Sequence, residues 1–252
     1  MNWNFIVSVW HLQKVVHRTM LSFDFNGKNS YRDFGIYMES LPILPTPKRR
    51  VSYFDMLGKN GSLKYDENTY EDITLAVTCG IKGELTEKIS NIKGWLYGSG
   101  EADLVFSHNS TKKYIAQVVN SFDFEISLRK IAKFVIVFNC QPFLYLVDAF
   151  PLEITTPKTN IINIGSVQSE PVIDVYGNGD ITLFVNNNEI TLKKVEGKIT
   201  LNTPLQEVYD SKILNKNSSM NGEFPLFKVG DNRISWTGNV TKLSIIPNWR
   251  WL

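Results

Sequence analysis

The sequence has little of the two residue types on which metal sites and disulfide frameworks depend. Its 252 residues include two cysteines, Cys79 and Cys140, and three histidines, His11, His17 and His108. No second pair of cysteines or histidines lies at ligand spacing, which excludes the usual zinc sites. Because each cysteine stands in an apolar, strand-like run, we expect buried free thiols, with a disulfide between neighbouring strands as the alternative.

Recognisable catalytic motifs are also missing. There is neither a Gly-x-Ser-x-Gly nucleophile elbow nor a His-Glu-x-x-His helix, and the glycine-rich segment Gly94–Gly100 lacks the Lys-Ser ending of a phosphate loop. Paired carboxylates such as Asp174 and Asp180 lie mostly in turn-like segments, without the successive ligands of a calcium loop. His108 is expected at the surface. We therefore predict that the chain is not an enzyme and that it uses no metal and no cofactor.

Charge of one sign is not in excess, and no apolar run approaches the length of a bilayer. The net charge of +2 is too near balance for a surface that binds DNA phosphates, so neither nucleic acid nor a membrane is a predicted partner. The basic cluster Lys48–Arg50 indicates a solvated loop with local salt bridges, or a contact with an acidic protein surface. Residues 1–19 lack the charge order of a secretory signal. They are either a leader upstream of a natural start at Met20 or an amphipathic extension.

Short strand-like segments are what the sequence has in abundance. Aromatic residues make up 12% of the chain, and many alternate with β-branched residues, which favours sheet over helix. The segment Tyr31–Met38 is predicted to be a strand, and Gly58–Gly61 to be the turn of a hairpin. The segment Lys133–Asp148 is almost continuously apolar. We therefore expect a strand there that is buried on both faces or lies at an interface.

One segment breaks the β pattern. Thr86 is a plausible N-cap and Gly98 a plausible stop, which predicts a single short helix between them. Its apolar residues fall at helical spacing: Leu85, Ile89, Ile92 and Leu96.

A stretch rich in proline and threonine, Phe150–Asn160, is predicted to be a linker. It divides the chain after the leader into two domains, 20–150 and 151–252. In the second domain turn signals recur at short intervals, at Gly177–Asp180, which should join two strands, and at Asn186–Asn188. Such spacing predicts a β-sandwich of jelly-roll or lectin type. The predicted fold class is therefore mainly β with one short helix, as an N-terminal β-rich domain and a C-terminal β-sandwich.

Five phrases of the sequence are distinctive together and in this order. They are FNGKNSYRDFGIYMES at Phe25–Ser40, PKRRVSYFDMLGKNGSLKYDENTYEDITLAV at Pro47–Val77, NCQPFLYL at Asn139–Leu146, SEPVIDVYGNGDITL at Ser169–Leu183, and NGEFPLFKVGDNRISWTGNVTKLSIIPNWRWL at Asn221–Leu252. In these phrases the chain resembles the distal tail proteins of long-tailed bacteriophages (siphophages), the family known as Dit. The resemblance covers most of the chain from Met20 onward.

The resemblance implies a structural hub protein of the phage tail tip or baseplate. The N-terminal domain would form a homo-hexameric ring and the C-terminal domain a galectin-like sandwich that projects outward. Implied partners are the tail-tube protein on one side and the tail-tip protein, Tal, on the other, with DNA passing through the ring. The implied location is the virion tail tip, after assembly in the bacterial host cytoplasm. The segment Asp210–Met220 is too short for the long arm by which some relatives hold receptor-binding proteins.

A closed ring requires one patch of each subunit to meet a different patch of its neighbour. The proline-rich arm, Leu41–Arg50, and the hairpin Val51–Leu63 are the candidates, because the hairpin is too apolar for a solvated loop. The predicted subunit-interface residues are Arg49, Arg50, Tyr53, Phe54, Met56 and Leu57.

Carbohydrate binding is the alternative function. Aromatic faces hold sugars in many lectin-like modules, and three tryptophans of the second half would contact host cell-wall glycan in that case. Core and interface packing is the competing interpretation of the same residues. The candidates are Trp236, Trp249 and Trp251.

Overall fold

The computed structural model describes residues 20–127 and 130–252, and strands dominate both segments, which confirms the predicted mainly β fold class. The predictions about the leader lie outside the described residues. The elements of the first half are β1 (Phe23–Phe25), β2 (Lys28–Asn29), α1 (Ser30–Phe34), β3 (Ile36–Met38), β4 (Arg49–Phe54), β5 (Leu63–Tyr70), β6 (Ile73–Lys82), α2 (Leu85–Gly98), β7 (Ala102–Phe106), β8 (Lys112–Val118), β9 (Glu125–Ser127) and β10 (Ile131–Leu146).

The second half contains eight strands in the described part of the chain. They are β11 (Leu152–Ile154), β12 (Thr159–Asn163), β13 (Val172–Val185), β14 (Asn188–Asn202), β15 (Glu207–Asp210), β16 (Met220–Asn221), β17 (Gly230–Ile246) and β18 (Arg250–Trp251). Two 3₁₀ turns lie at Ser107–Asn109 and Asn217–Ser219.

The first half is built on a sheet that curls almost into a barrel. Its strands follow the order β2-β1-β7-β8-β10-β6-β3, with β9 and β18 also paired to β10. The sheet closes on itself because the amide of Met38, at the end of β3, donates to the carbonyl of Leu21, just before β1, at 2.8 Å. Buried aromatic side chains fill the interior, and they include Phe23, Phe25 and Phe138.

Helix α2 covers this core, and its existence and end at Gly98 match the prediction. Its start does not. The N-cap is Glu84, without a side-chain cap, so Thr86 lies inside the first turn. The face towards the core also includes Trp95, whose indole nitrogen donates to the carbonyl of Phe25 at 3.0 Å. The Trp95 ring stacks on Phe34 with a centroid distance of 4.2 Å.

A second, shorter helix occupies part of a predicted strand. Ser30–Phe34 forms α1, and only Ile36–Met38 of that segment is extended. The Asn29 side chain caps the helix by accepting from two backbone amides, and Gly35 ends it in the left-handed conformation at φ 70°. Both signals are in the sequence, but the helix is too short to show a helical repeat.

Strand β10 alternates between buried and open positions, so the prediction that both of its faces are buried is wrong for the single chain. Residues such as Phe134 and Ile136 face the core, whereas Val135 between them is exposed. The alternative, that this face lies at an interface, stays a prediction.

The two cysteines lie on neighbouring strands but at different levels of the ladder. Cys79 pairs with Phe134 and Cys140 with Ile73, and both thiols are free and buried. The expectation of buried free thiols is therefore confirmed and the disulfide alternative is wrong. Burial raises the pKa of both Cys79 and Cys140 to about 12. A thiol with so high a pKa is almost entirely protonated at neutral pH and unreactive.

Three long, bent strands build the second half into two layers around one core. Strand β13 lies between β14 and β17 and pairs with both along nearly its whole length, and the register with each shifts near the middle of β13, where we place a bend. In the layer formed by the first part of β13, the strand order is β11-β17-β13-β14-β15. In the layer formed by its second part, β12 replaces β11 beside β17, and β16 replaces β15 beside β14. Side chains of both layers belong to one buried cluster, as a sandwich requires.

The predicted turn at Gly177–Asp180 is wrong, because β13 runs through it as a single strand. It marks the bend instead, where the register with both neighbouring strands shifts. The side chain of Asn178 accepts from the Gly197 amide at 3.0 Å, and that of Asp180 from the Lys194 amide at 2.9 Å. The predicted turn near Asn186–Asn188 is confirmed, since residues 186 and 187 form the tight loop between β13 and β14.

Gly177 is expected to tolerate no side chain. A Cβ there would collide with the carbonyl oxygen of Asn239 on β17. Gly177→Ala should therefore lower the free energy of unfolding by about 1–3 kcal/mol in urea denaturation, since the packed backbone cannot move aside. Gly94→Ala is the matched control: apart from its chain neighbours and the backbone of its own helix, no described atom lies within 4 Å of that Cβ, and alanine in mid-helix should stabilise by about 0.5–1 kcal/mol. Equal values for the two variants would contradict this interpretation.

About half of the stretch predicted to be a linker is strand. Leu152–Ile154 forms β11 and pairs with Leu243–Ile245, and β12 begins at Thr159. The segment between Val147 and Pro151 is what remains as the connection from β10 to the second sheet. The domain bounds 20–150 and 151–252 stay a prediction.

Candidate assembly surface

The predicted interface hairpin is a ribbon of two strands, β4 and β5, that pair with each other and with no other described strand. Its register places Ser52 opposite Tyr65 and Phe54 opposite Leu63. At its base, the Tyr70 ring contacts the edge of Phe143 on β10, with centroids 5.6 Å apart. The ribbon is therefore attached to the first sheet at one end and projects from it at the other.

The free end of the ribbon presents apolar side chains to solvent. Leu57 is fully exposed and Met56 is 53% exposed, both in the loop between the strands. On the adjoining strand, Tyr53 and Phe54 are also exposed. Large apolar side chains that cluster at a projecting tip are typical of a surface that another protein covers.

Arg49 and Arg50 differ in what they contact. Arg49 holds the base of the ribbon: its guanidinium lies 2.8 Å from a carboxylate oxygen of Asp66 and donates to the Asn68 side chain at 2.7 Å. The hydrogen bond from Arg49 lowers the pKa of Asp66. Arg50 is exposed. The structure therefore gives Arg49 a contact within its own chain, and Arg50 is the member of the pair whose charge faces solvent.

The three tryptophans do not form an open platform. Trp236 is 9% exposed and Trp249 is 7% exposed, so both rings belong to the core of the sandwich. Trp251 is half-buried, and the ammonium of Lys112 lies 4.1 Å from its ring centroid. The buried rings of Trp236 and Trp249 therefore offer no open face to a sugar, and the packing interpretation fits them.

An arginine that no sequence pattern marked ties the two halves together. Strand β18 follows the second sheet but pairs with β10 of the first, with Arg250 opposite Tyr145. The buried Arg250 side chain donates to the carbonyl of Gln168 at 2.6 Å and lies 2.9 Å from the carboxylate of Glu170. Its guanidinium also lies 4.4 Å from the ring centroid of Phe143. No local pattern in the sequence marks such a residue, because its partners are about 80 and 105 positions away.

Removing this arginine should loosen the junction of the two halves. We expect Arg250→Met to lower the free energy of unfolding by about 2 kcal/mol, because the charge-assisted hydrogen bonds are lost while the stem still packs. Urea denaturation measures the change. Arg233→Met, at an exposed position on β17, is the matched control and should be nearly neutral. An Arg250→Met variant as stable as the control would contradict the role given to Arg250.

Two further findings concern metal ions and membranes. Within residues 20–127 and 130–252, no group of three or more His, Cys, Asp or Glu side chains is arranged to hold a metal ion. None of the helices in that part of the chain is long and apolar enough to cross a membrane.

Residues 31–140 match the family model described as the phage tail protein RIFT-related domain. This stretch contains the projecting ribbon and most of the first sheet. This part of the chain is therefore similar to a domain of phage tail proteins. A comparison with curated proteins gave no significant match.

The fold of the chain also has a counterpart among solved structures. It is similar to the crystal structure of the Dit protein of phage SPP1, with a TM-score of 0.71 and 12% sequence identity, over 92% of this chain and 99% of that one. That protein is described as a paradigm of the hub adsorption apparatus in phages that infect Gram-positive bacteria. The domain match and the shared fold together confirm the predicted resemblance to siphophage distal tail proteins.

Proposed function

We propose that this chain is the hub of the phage tail tip, a homo-hexameric ring that joins the tail-tube protein to the tail-tip protein, Tal. The observation that carries the proposal is the ribbon of β4 and β5, whose exposed apolar tip includes Met56 and Leu57. Such a tip on a phage tail protein needs a partner, and a neighbouring copy of the chain supplies one. The hub described for the SPP1 relative supports the same role.

In this proposal the chain is structural and catalyses no reaction. The net charge of +2 supports a ring through which DNA slides, because a strongly basic opening would hold the phosphates. Assembly takes place in the host cytoplasm, and the ring remains in the tail of the virion. The buried positions of Trp236 and Trp249 give no support to the glycan-binding alternative.

Co-expression with the two proposed partners tests this role. The chain is purified with the tail-tube protein in one experiment and with Tal in another. Negative-stain electron microscopy should show rings in both cases, with the tail-tube protein on one face of the ring and Tal on the opposite face. The variant Met56→Asp with Leu57→Asp serves as the control that lacks the ring. A chain that binds neither partner, or both on the same face, would contradict the proposed position.

A further inference from the structure

The proline-rich arm is held at its ends and open along its length. The amide of Glu39 donates to the Thr78 carbonyl at 3.0 Å, and the carbonyl of Lys48 accepts from the Glu71 amide at 2.8 Å. Between these anchors the backbone forms no strand or helix, and Ile43 is 88% exposed. The arm therefore lies along its own chain with its apolar side chains turned to solvent.

The sequence of the arm restricts its conformation. Three prolines, Pro42, Pro45 and Pro47, fix their own φ angles and lack amide donors, which favours an extended, polyproline-like backbone. The basic residues Lys48–Arg50 follow directly. A segment of this kind loses little entropy when it is bound, because its shape is already set.

A cleft of about 1050 Å³ lies where the two halves of the chain meet. One wall comes from the end of β10 and the connection that follows it, and the other from the segment between β17 and β18. Its apolar lining is rich in proline and aromatic residues, with Pro142, Phe143 and Pro247 among them. Phe150, at 78% exposure, and Leu205 also line it and remain open to solvent.

The charged residues of the cleft leave it acidic. Four carboxylates line it: Asp72, Glu101, Asp148 and Glu170. The two basic residues that also line it are engaged in ion pairs, Lys113 with Asp103 at 2.8 Å and Arg250 with Glu170 at 2.9 Å. A basic segment that enters the cleft therefore meets uncompensated negative charge.

We propose that the arm, Leu41–Arg50, of one copy docks in this cleft of the neighbouring copy. Aromatic- and proline-lined grooves bind extended proline-rich segments, and the acidic lining complements the exposed charge of Arg50. Lys48 and Arg49 form ion pairs with Glu71 and Asp66 of their own chain, so Arg50 is the charge that the cleft would receive. The cleft is not lined by any residue of the arm of the same chain. Arm against cleft is also a contact between two different patches, as a closed ring requires. The proposal rests on the proposed function, because it needs contact between copies.

Disulfide trapping tests this contact. Ile43→Cys on the arm combined with Phe150→Cys in the cleft should, under mild oxidation, yield a ladder of cross-linked species on a non-reducing gel. The native thiols do not interfere, because both are buried and their pKa values are raised to about 12. The control pairs Ile43→Cys with Ile213→Cys, an exposed residue that does not line the cleft. We expect at least tenfold less ladder from the control.

The possible outcomes distinguish the contact between arm and cleft from the formation of the ring. If the ring keeps its mass but the Ile43→Cys, Phe150→Cys variant gives no more cross-linked ladder than the control, the docking of the arm is overturned. The proposed hub function would then still stand. An internal disulfide, seen as a faster-migrating monomer, would place the arm in its own cleft and also overturn it. A chain that stays monomeric at every concentration would overturn both proposals.

Discussion

Met56→Asp together with Leu57→Asp is expected to convert the assembled protein into monomers. Both side chains are exposed at the tip of the ribbon in the single chain, so the substitutions should leave folding unchanged. In the assembly the tip would be covered, and a carboxylate moved from water into an apolar contact costs several kcal/mol. We therefore expect the dissociation constant of the subunits to rise by a factor on the order of 1000. Multi-angle light scattering at several concentrations measures the shift.

The matched control places the same charges on another exposed apolar pair. Ile213 and Leu214 are exposed in the loop after β15, in the second half of the chain. Ile213→Asp with Leu214→Asp should leave the assembly at its original mass. A ring that persists in the ribbon variant, or dissociates equally in both variants, would exclude the ribbon tip as the subunit contact.

Trp95→Ala is expected to produce the largest loss of stability. The side chain is 6% exposed, stacks on Phe34 and donates to the carbonyl of Phe25. Replacing so large a core residue with alanine should lower the free energy of unfolding by about 3–5 kcal/mol, because a cavity remains beneath helix α2. Urea denaturation followed by fluorescence and circular dichroism measures the loss.

Trp95→Phe separates the ring from its hydrogen bond. Phenylalanine keeps most of the stacking on Phe34 but cannot donate to the carbonyl of Phe25, so we expect a loss of about 1 kcal/mol. If the alanine and phenylalanine variants were equally stable, the packing role assigned to the Trp95 ring would be wrong.

Helix α2 was predictable because it is long enough to show a repeat. Its apolar residues recur every three or four positions over four turns, and that signal does not depend on distant contacts. Its start was not predictable, since Thr86 has the chemistry of an N-cap but the chain enters the helix at Leu85 without one. Capping residues fix helix ends only where the incoming chain has room to use them.

The bend of β13 shows a different limit of sequence patterns. Gly177–Asp180 has the composition of a hairpin turn, and nothing local distinguishes a reversal of the chain from a bend within a strand. The distinction comes from the carbonyl of Asn239 on β17, which occupies the space beside Gly177. A contact across about 60 positions of sequence has no signature in a four-residue window.

Some features of the candidate site could also be predicted from the sequence, and others could not. The apolar character of Met56 and Leu57 between polar neighbours predicted a surface that needs a partner, and the structure places both at an exposed tip. The tryptophans were ambiguous, because Trp236 and Trp249 suit a core as well as a sugar platform, and only their packing decides between the two. The cleft was beyond prediction, since its walls come from segments about 100 residues apart.

Native mass spectrometry of the purified chain shows whether its copies close into a ring through exposed apolar surfaces of the first half. We expect a dominant species at six times the chain mass of 28.8 kDa. This species should be lost in the Met56→Asp, Leu57→Asp variant and kept in the Ile213→Asp, Leu214→Asp control. A single species at 28.8 kDa at every protein concentration would contradict ring formation.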